Sequence, residues 1–93
     1  MSVTEDQDQN EKQRAEQLIA EAPKMEGVES IRVELGNDNT GDPAMWLIFH
    51  LQRDLAVDVE WILRFNEYAA GIQTKILHSG LTRFPYARLE QAA

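Results

Sequence analysis

The sequence predicts an α+β fold, a two-layer sandwich in the order α-β-β-α-β, with a three-stranded sheet and two helices on one of its faces. Three observations carry this expectation. The segment SIRVEL alternates apolar and polar residues strictly; a long stretch from about residue 55 to residue 77 repeats apolar residues at helical spacing; and a shorter helical stripe, Ala15, Leu18, Ile19 and Ala22, precedes both. A hairpin followed by a helical crossover leaves the apolar tail to complete the sheet.

The elements follow in order. Thr4-x-x-Gln7 and Asp8-x-x-Glu11 each match a capping box, in which a side-chain oxygen accepts from an orphan N–H at a helix start. The first helix is expected to begin near one of them, with residues 1–8 frayed, and to stop at Pro23, which lacks an N–H and clashes with the preceding turn. In SIRVEL, Ile31, Val33 and Leu35 share one face and Arg32 and Glu34 the other. Residues 44–51, AMWLIFHL, form a second strand with Met45, Leu47, Phe49 and Leu51 on one face and Trp46, Ile48 and His50 on the other. Both of its faces are partly apolar.

Asp54 or Asp58 can cap the second helix, which runs to about Leu77 and ends at the signature His78-Ser79-Gly80. Leu55, Val59, Ile62, Leu63, Phe65, Ala69, Ala70, Ile72, Ile76 and Leu77 gather on one broad face, with Glu60, Glu67, Gly71 and Thr74 opposite. Asn66 and Gln73 fall inside that apolar arc, where an unpaired amide is costly. They are expected to bond to nearby backbone, across a dimer, or to a small polar ligand. Trp61 and Tyr68 form an aromatic edge that packing against the first helix explains. The tail RFPYARLE makes a short third strand, with Pro85 confining it to a sheet edge or a strand start.

Ninety-three residues support one domain, residues 1–93, with one modest core. Sixteen acidic residues against nine basic ones give a net charge of −7, which repels phosphate backbones and disfavours nucleic acid and anionic membranes as partners. The charge is uneven: residues 1–30 hold eight acids and three bases, 31–60 six and two, and 61–93 two and four. No cysteine is present, which removes disulfides, thiolate metal sites and cysteine nucleophiles. The polar start MSVTEDQDQNEK has no secretory pattern and no stretch is long enough to span a bilayer, so a cytoplasmic location is expected. No cofactor motif is found.

The loop GNDNTGDP gathers hard oxygen atoms on Asp38, Asn39, Thr40 and Asp42, the ligand chemistry of Ca²⁺ or Mg²⁺. Counted from Asp38, however, the glycine position of an EF-hand is Pro43 and the closing acidic position is Phe49. Gly36, Asn37, Gly41 and Pro43 are residues that a hairpin bend selects, and the bend is the preferred reading.

The pattern E-x-G-x-D-x-x-G-D-P-A is carried here by Glu34, Gly36, Asp38, Gly41, Asp42, Pro43 and Ala44, with Pro85 and Tyr86 in the tail. It resembles a family of short, uncharacterised bacterial proteins over roughly residues 25–90. Some members of that family are encoded beside small helical proteins of the HEPN type. The resemblance implies a partner-binding or antitoxin-like role.

Other constellations carry less. His50 and His78 lie far apart and in no paired metal-binding spacing, and His78 is explained by the helix dipole. Ser79 beside His78 lacks the converging base and orienting acid of a triad. The element order invites comparison with KH-like RNA-binding domains, but no G-x-x-G occurs. The expected function is therefore that of a small acidic protein-binding or regulatory partner, more readily non-enzymatic. Its contact face would be Trp46, Ile48 and His50, toward another protein or a second copy. The alternative is a small enzyme or divalent-metal-binding protein using Asp38 and Asp42.

Overall fold

The computed structural model describes residues 3–91, with side chains from Asp8 onward. Its elements are α1 (Val3–Glu21), β1 (Val28–Asn37), β2 (Pro43–Leu51), α2 (Val59–His78) and β3 (Phe84–Gln91), in the predicted α-β-β-α-β order. The sheet order is β1-β2-β3, with β1 antiparallel and β3 parallel to β2. The central place of β2 explains why its sequence is apolar on both faces: a middle strand is covered by neighbours on each side.

Alternation sets the inner face. Ile31, Val33 and Leu35 of β1 stand opposite Phe49, Leu47 and Met45 of β2, and the helices pack over this row. Met45, Leu47, Phe49 and Leu51 are buried, together with Ala15 of α1 and Trp61, Phe65, Ala69, Ile72 and Ile76 of α2. Phe65 meets Phe49 edge-on at 4.9 Å between ring centroids and stacks on Trp61 at 5.3 Å. Gly27, at φ +94°, turns the chain into β1 and leaves room for the Leu55 side chain and the Trp61 indole, whose Nε1 donates to the Glu26 carbonyl.

Three local expectations change. α1 begins at Val3, beside the first box as expected, but it runs through residues 3–8, which were expected to fray; positions 1–2 of that segment lie outside the described residues. Of the two candidate caps for α2, Asp58 serves, its carboxylate accepting from the Trp61 N–H at 2.8 Å, while Leu55 lies before the helix. The broad apolar face of α2 divides. A stripe at spacings of three and four, Trp61 to Ile76, is buried, whereas Val59, Ile62, Leu63, Ala70 and Leu77 are exposed. Three strands and α1 do not span the whole arc. The helix ends as predicted, with Ser79 at the C-cap and Gly80 at φ +86°.

Candidate functional site

The hairpin loop is built around one carboxylate. Asp38 Oδ1 accepts from the Thr40 N–H at 2.9 Å, the Thr40 hydroxyl at 2.6 Å and the Asp42 N–H at 3.0 Å; Oδ2 accepts from the Tyr86 hydroxyl at 3.1 Å. The backbone closes the same bend through Asp38 N–H to the Asp42 carbonyl and Gly41 N–H to the Asp38 carbonyl, with Gly41 at φ +88°. The Thr40 hydroxyl foremost holds the Asp38 carboxyl below its usual value; desolvation opposes it, and the backbone donors and Tyr86 add to the lowering. Desolvation and then the facing Asp38 push the Tyr86 hydroxyl up. Both oxygens of Asp38 are thus engaged by the chain itself. No group of three or more His, Asp or Glu side chains is placed to hold a metal ion among the described residues.

Tyr86 ties this loop to the outer sheet face. Trp46 stacks on Tyr86 at 5.0 Å and 28°, and Phe84 leans on Tyr86 at 4.8 Å. Trp46, Ile48 and His50 lie on the face opposite the helices, as alternation demands, but they do not form an open apolar surface. Ile48 stands between Arg32 and Arg88 in the register and is 1% exposed. Trp46 is half-buried. Arg32 donates to His50 Nε2 at 3.2 Å and to Glu34 at 3.1 Å, and His50 Nδ1 faces Glu90 at 3.6 Å. Arg32 of β1 and Glu90 of β3 meet at His50 of the central strand, so this face presents charge rather than the expected apolar anchor. This revises the contact assigned to Trp46, Ile48 and His50.

A second node was invisible to spacing rules. Glu11 Oε1 accepts from the Thr82 N–H at 2.7 Å and its hydroxyl at 2.6 Å, while Oε2 lies 3.5 Å from Arg83 Nε. Arg83 also pairs with Asp8 at 3.1 Å and donates to the carbonyls of Gly36 and Ala44 at 2.6 and 3.1 Å. The Glu11 and Arg83 side chains are 8% and 12% exposed. This node staples α1 to the loop before β3 and to the turn end of the hairpin. One signal did exist: Glu11 lies four residues before Ala15, on the apolar stripe of α1.

Gln73 resolves to its local partner, donating to the Pro85 carbonyl at 2.9 Å. Asn66, two turns earlier on the same side of α2, is exposed. Around it lies the exposed half of the α2 arc, with Leu89 of β3 also exposed. A cavity of about 160 Å³ opens elsewhere, between the end of α1 and the start of β1; Ile19, Met25, Val28, Ile31 and Tyr68 line it, and desolvation raises the Tyr68 hydroxyl. No helix among the described residues is long and apolar enough to cross a membrane. Compared with models of known protein families, with curated proteins and with solved structures, the chain has no match.

Proposed function

We propose that this protein is a small protein-binding module whose contact surface is the side formed by α2 and β3. One observation carries the reading. All the exposed large apolar side chains among the described residues, Val57, Val59, Ile62, Leu63, Leu77, Phe84 and Leu89, fall on the segment that leads into α2, on α2 itself and on β3. The described side chains of α1, β1 and β2 contribute none. Val59 is 73% and Leu63 62% exposed. Single exposed apolar residues are ordinary, but four of these, Val59, Ile62, Leu63 and Leu77, share one face of α2, and such concentration is the usual mark of an interaction site.

Charge supports the same side. The last third of the chain holds two acids and four bases, whereas residues 1–60 hold fourteen acids and five bases. A partner approaching α2 and β3 therefore meets little of the acidic field.

The test compares Leu63→Asp with Trp46→Ala, each checked for folding by circular dichroism, in quantitative recovery of bound protein from the host. Loss with Leu63→Asp and retention with Trp46→Ala is expected. Undiminished recovery with a folded Leu63→Asp variant would remove the surface from consideration.

A further inference from the structure

We infer that the occupant of the α2–β3 side is a second copy of this chain, joined by antiparallel pairing of β3 with its symmetry mate in a register centred on Leu89. This inference rests on the contact surface proposed above.

β3 is an edge strand: it pairs with β2 on one side, and on its other side there is no strand among the described residues. An edge leaves a row of backbone donors and acceptors open to strand addition. At its start the edge is blunted, since Pro85 has no N–H and its carbonyl is taken by Gln73. Residues 87–91 carry no such protection. Leu89, which points to the helix side like its partner Phe49, is exposed, because the described helices stop short of it.

The side chains choose the register. A two-fold axis perpendicular to the sheet keeps the helix-bearing faces together, so residues of like parity must stand opposite each other. Centring on Arg88 sets Arg88 against its own copy, and centring on Ala87 sets Pro85 against Leu89 and Phe84 against Glu90. Centring on Leu89 instead sets Arg88 opposite Glu90 twice, Leu89 opposite Leu89, and Ala87 opposite Gln91. Opposite charges facing one another stabilise a cross-strand pair and like charges oppose it. Arg88 forms no ion pair among the described residues, and Glu90 already faces Arg32 at 3.8 Å and His50 at 3.6 Å, so the new pair would extend that cluster across the junction.

The helices agree with the same axis. α2 reaches β2 through Phe65 on Phe49 and β3 through Gln73 on Pro85, so it lies over the boundary between those strands. With strands about 4.8 Å apart, two such helices related across a β3–β3 junction lie roughly 10 Å apart, a normal helix packing distance. Gln73 is level with Pro85; seven residues back along the helix, roughly 10 Å, brings Asn66 level with about the third or fourth residue further along β3, near Leu89. The axis through Leu89 therefore passes beside Asn66. There the exposed amide meets its copy, and bulky Ile62 faces small Ala70 of the mate. The surface draws on the least acidic third of the chain, so two molecules of charge −7 meet where repulsion is weakest.

Sedimentation equilibrium on the full chain tests the register through a charge exchange. The wild type should be a dimer. Arg88→Glu and Glu90→Arg should each weaken it by about tenfold or more, since each creates two like-charge pairs, and the double variant should recover to within about threefold of the wild type. The chain has no cysteine, so a Leu89→Cys variant carries a single thiol. Under mild oxidation it should form a disulfide-linked dimer, because directly opposed Cβ atoms in an antiparallel pair lie about 5 Å apart. A wild-type dimer indifferent to all three charge variants, with no cross-link at position 89, would overturn the register. A monomeric wild type overturns the second copy as occupant; if Leu63→Asp then still abolishes recovery of a host protein, the contact surface stands without it. A folded Leu63→Asp variant that changes neither association nor recovery sinks both.

Discussion

Glu11 and Thr82, 71 residues apart, are joined by two hydrogen bonds: one carboxylate oxygen accepts both the backbone N–H and the hydroxyl of Thr82. The same carboxylate neutralises Arg83, whose Nε is buried without a hydrogen bond. α1 therefore holds the molecule together by a polar node as much as by its narrow apolar stripe.

Removing Glu11 leaves the largely buried Arg83 guanidinium with Asp8 as its carboxylate partner and takes away the acceptor of Thr82, whereas removing the Thr82 hydroxyl leaves its N–H bond in place. Glu11→Ala should cost about 3 kcal/mol of stability, in the range seen for breaking buried ion pairs. Thr82→Val should cost about 1 kcal/mol, the worth of one hydrogen bond. Urea unfolding measures both, and equal losses would show that the charge pairing contributes little.

The Asp38–Tyr86 bond makes the hairpin sensitive to pH at two extremes. Asp38 has its folded pKa below the usual 3.8, so its contribution is complete above that value and is lost as pH falls through the depressed one. Tyr86 has its folded pKa above the usual 10.0, so its contribution is complete below 10.0 and is lost as pH rises through the raised value. The Tm gap between wild type and Asp38→Asn should therefore narrow on acidification. The gap to Tyr86→Phe should narrow on strong alkalinisation. Gaps that stay constant across both ranges would contradict the pairing.

Ile48 lies on the outer face yet is shut off from solvent. Its truncation consequently acts on the fold. Ile48→Ser should destabilise the protein by about 3 kcal/mol through lost burial and a buried hydroxyl. Denaturant melts of the variant decide this, and a loss within the scatter of surface substitutions, about 0.5 kcal/mol, would show that the burial of Ile48 contributes little.

The glycines separate space from backbone strain. Gly71 sits within α2 with open room for a Cβ, so Gly71→Ala should stabilise by about 0.5–1 kcal/mol through helix propensity. Gly41 has equal room but φ +88°, so Gly41→Ala should destabilise by roughly 1 kcal/mol. Gly27→Ala should cost more than either, since its Cβ would lie 2.8–2.9 Å from Leu55 and Trp61 at φ +94°. Thermal melts of the three variants should follow that order.

The candidate surface was only half legible beforehand. α2 advertised its apolar arc, but a helical period cannot say how much of an arc a sheet will cover. The outer face of β2 looked like an open aromatic patch because cross-strand neighbours were unknown. Arg32 and Arg88 flank Ile48 only after register is set. Gln73 met a backbone carbonyl twelve residues away, whereas Asn66 is exposed beside the uncovered part of the arc.

By itself the sequence determined what depends on local geometry. Period-two alternation assigned Ile31, Val33 and Leu35 to one face, Asp58 was among the capping candidates, the acidic loop read as a bend, and Pro85 was directed to an edge strand. These follow from dihedral preferences and side-chain reach within a few residues. Tertiary structure alone decided that Glu11 turns from a supposed cap into a partner of Thr82 and Arg83, that Ile48 is closed off, and that the second half of the α2 arc is left exposed beside Leu89. Each of those depends on which distant segments become neighbours, and that is settled by the packing of whole elements, which no local period encodes.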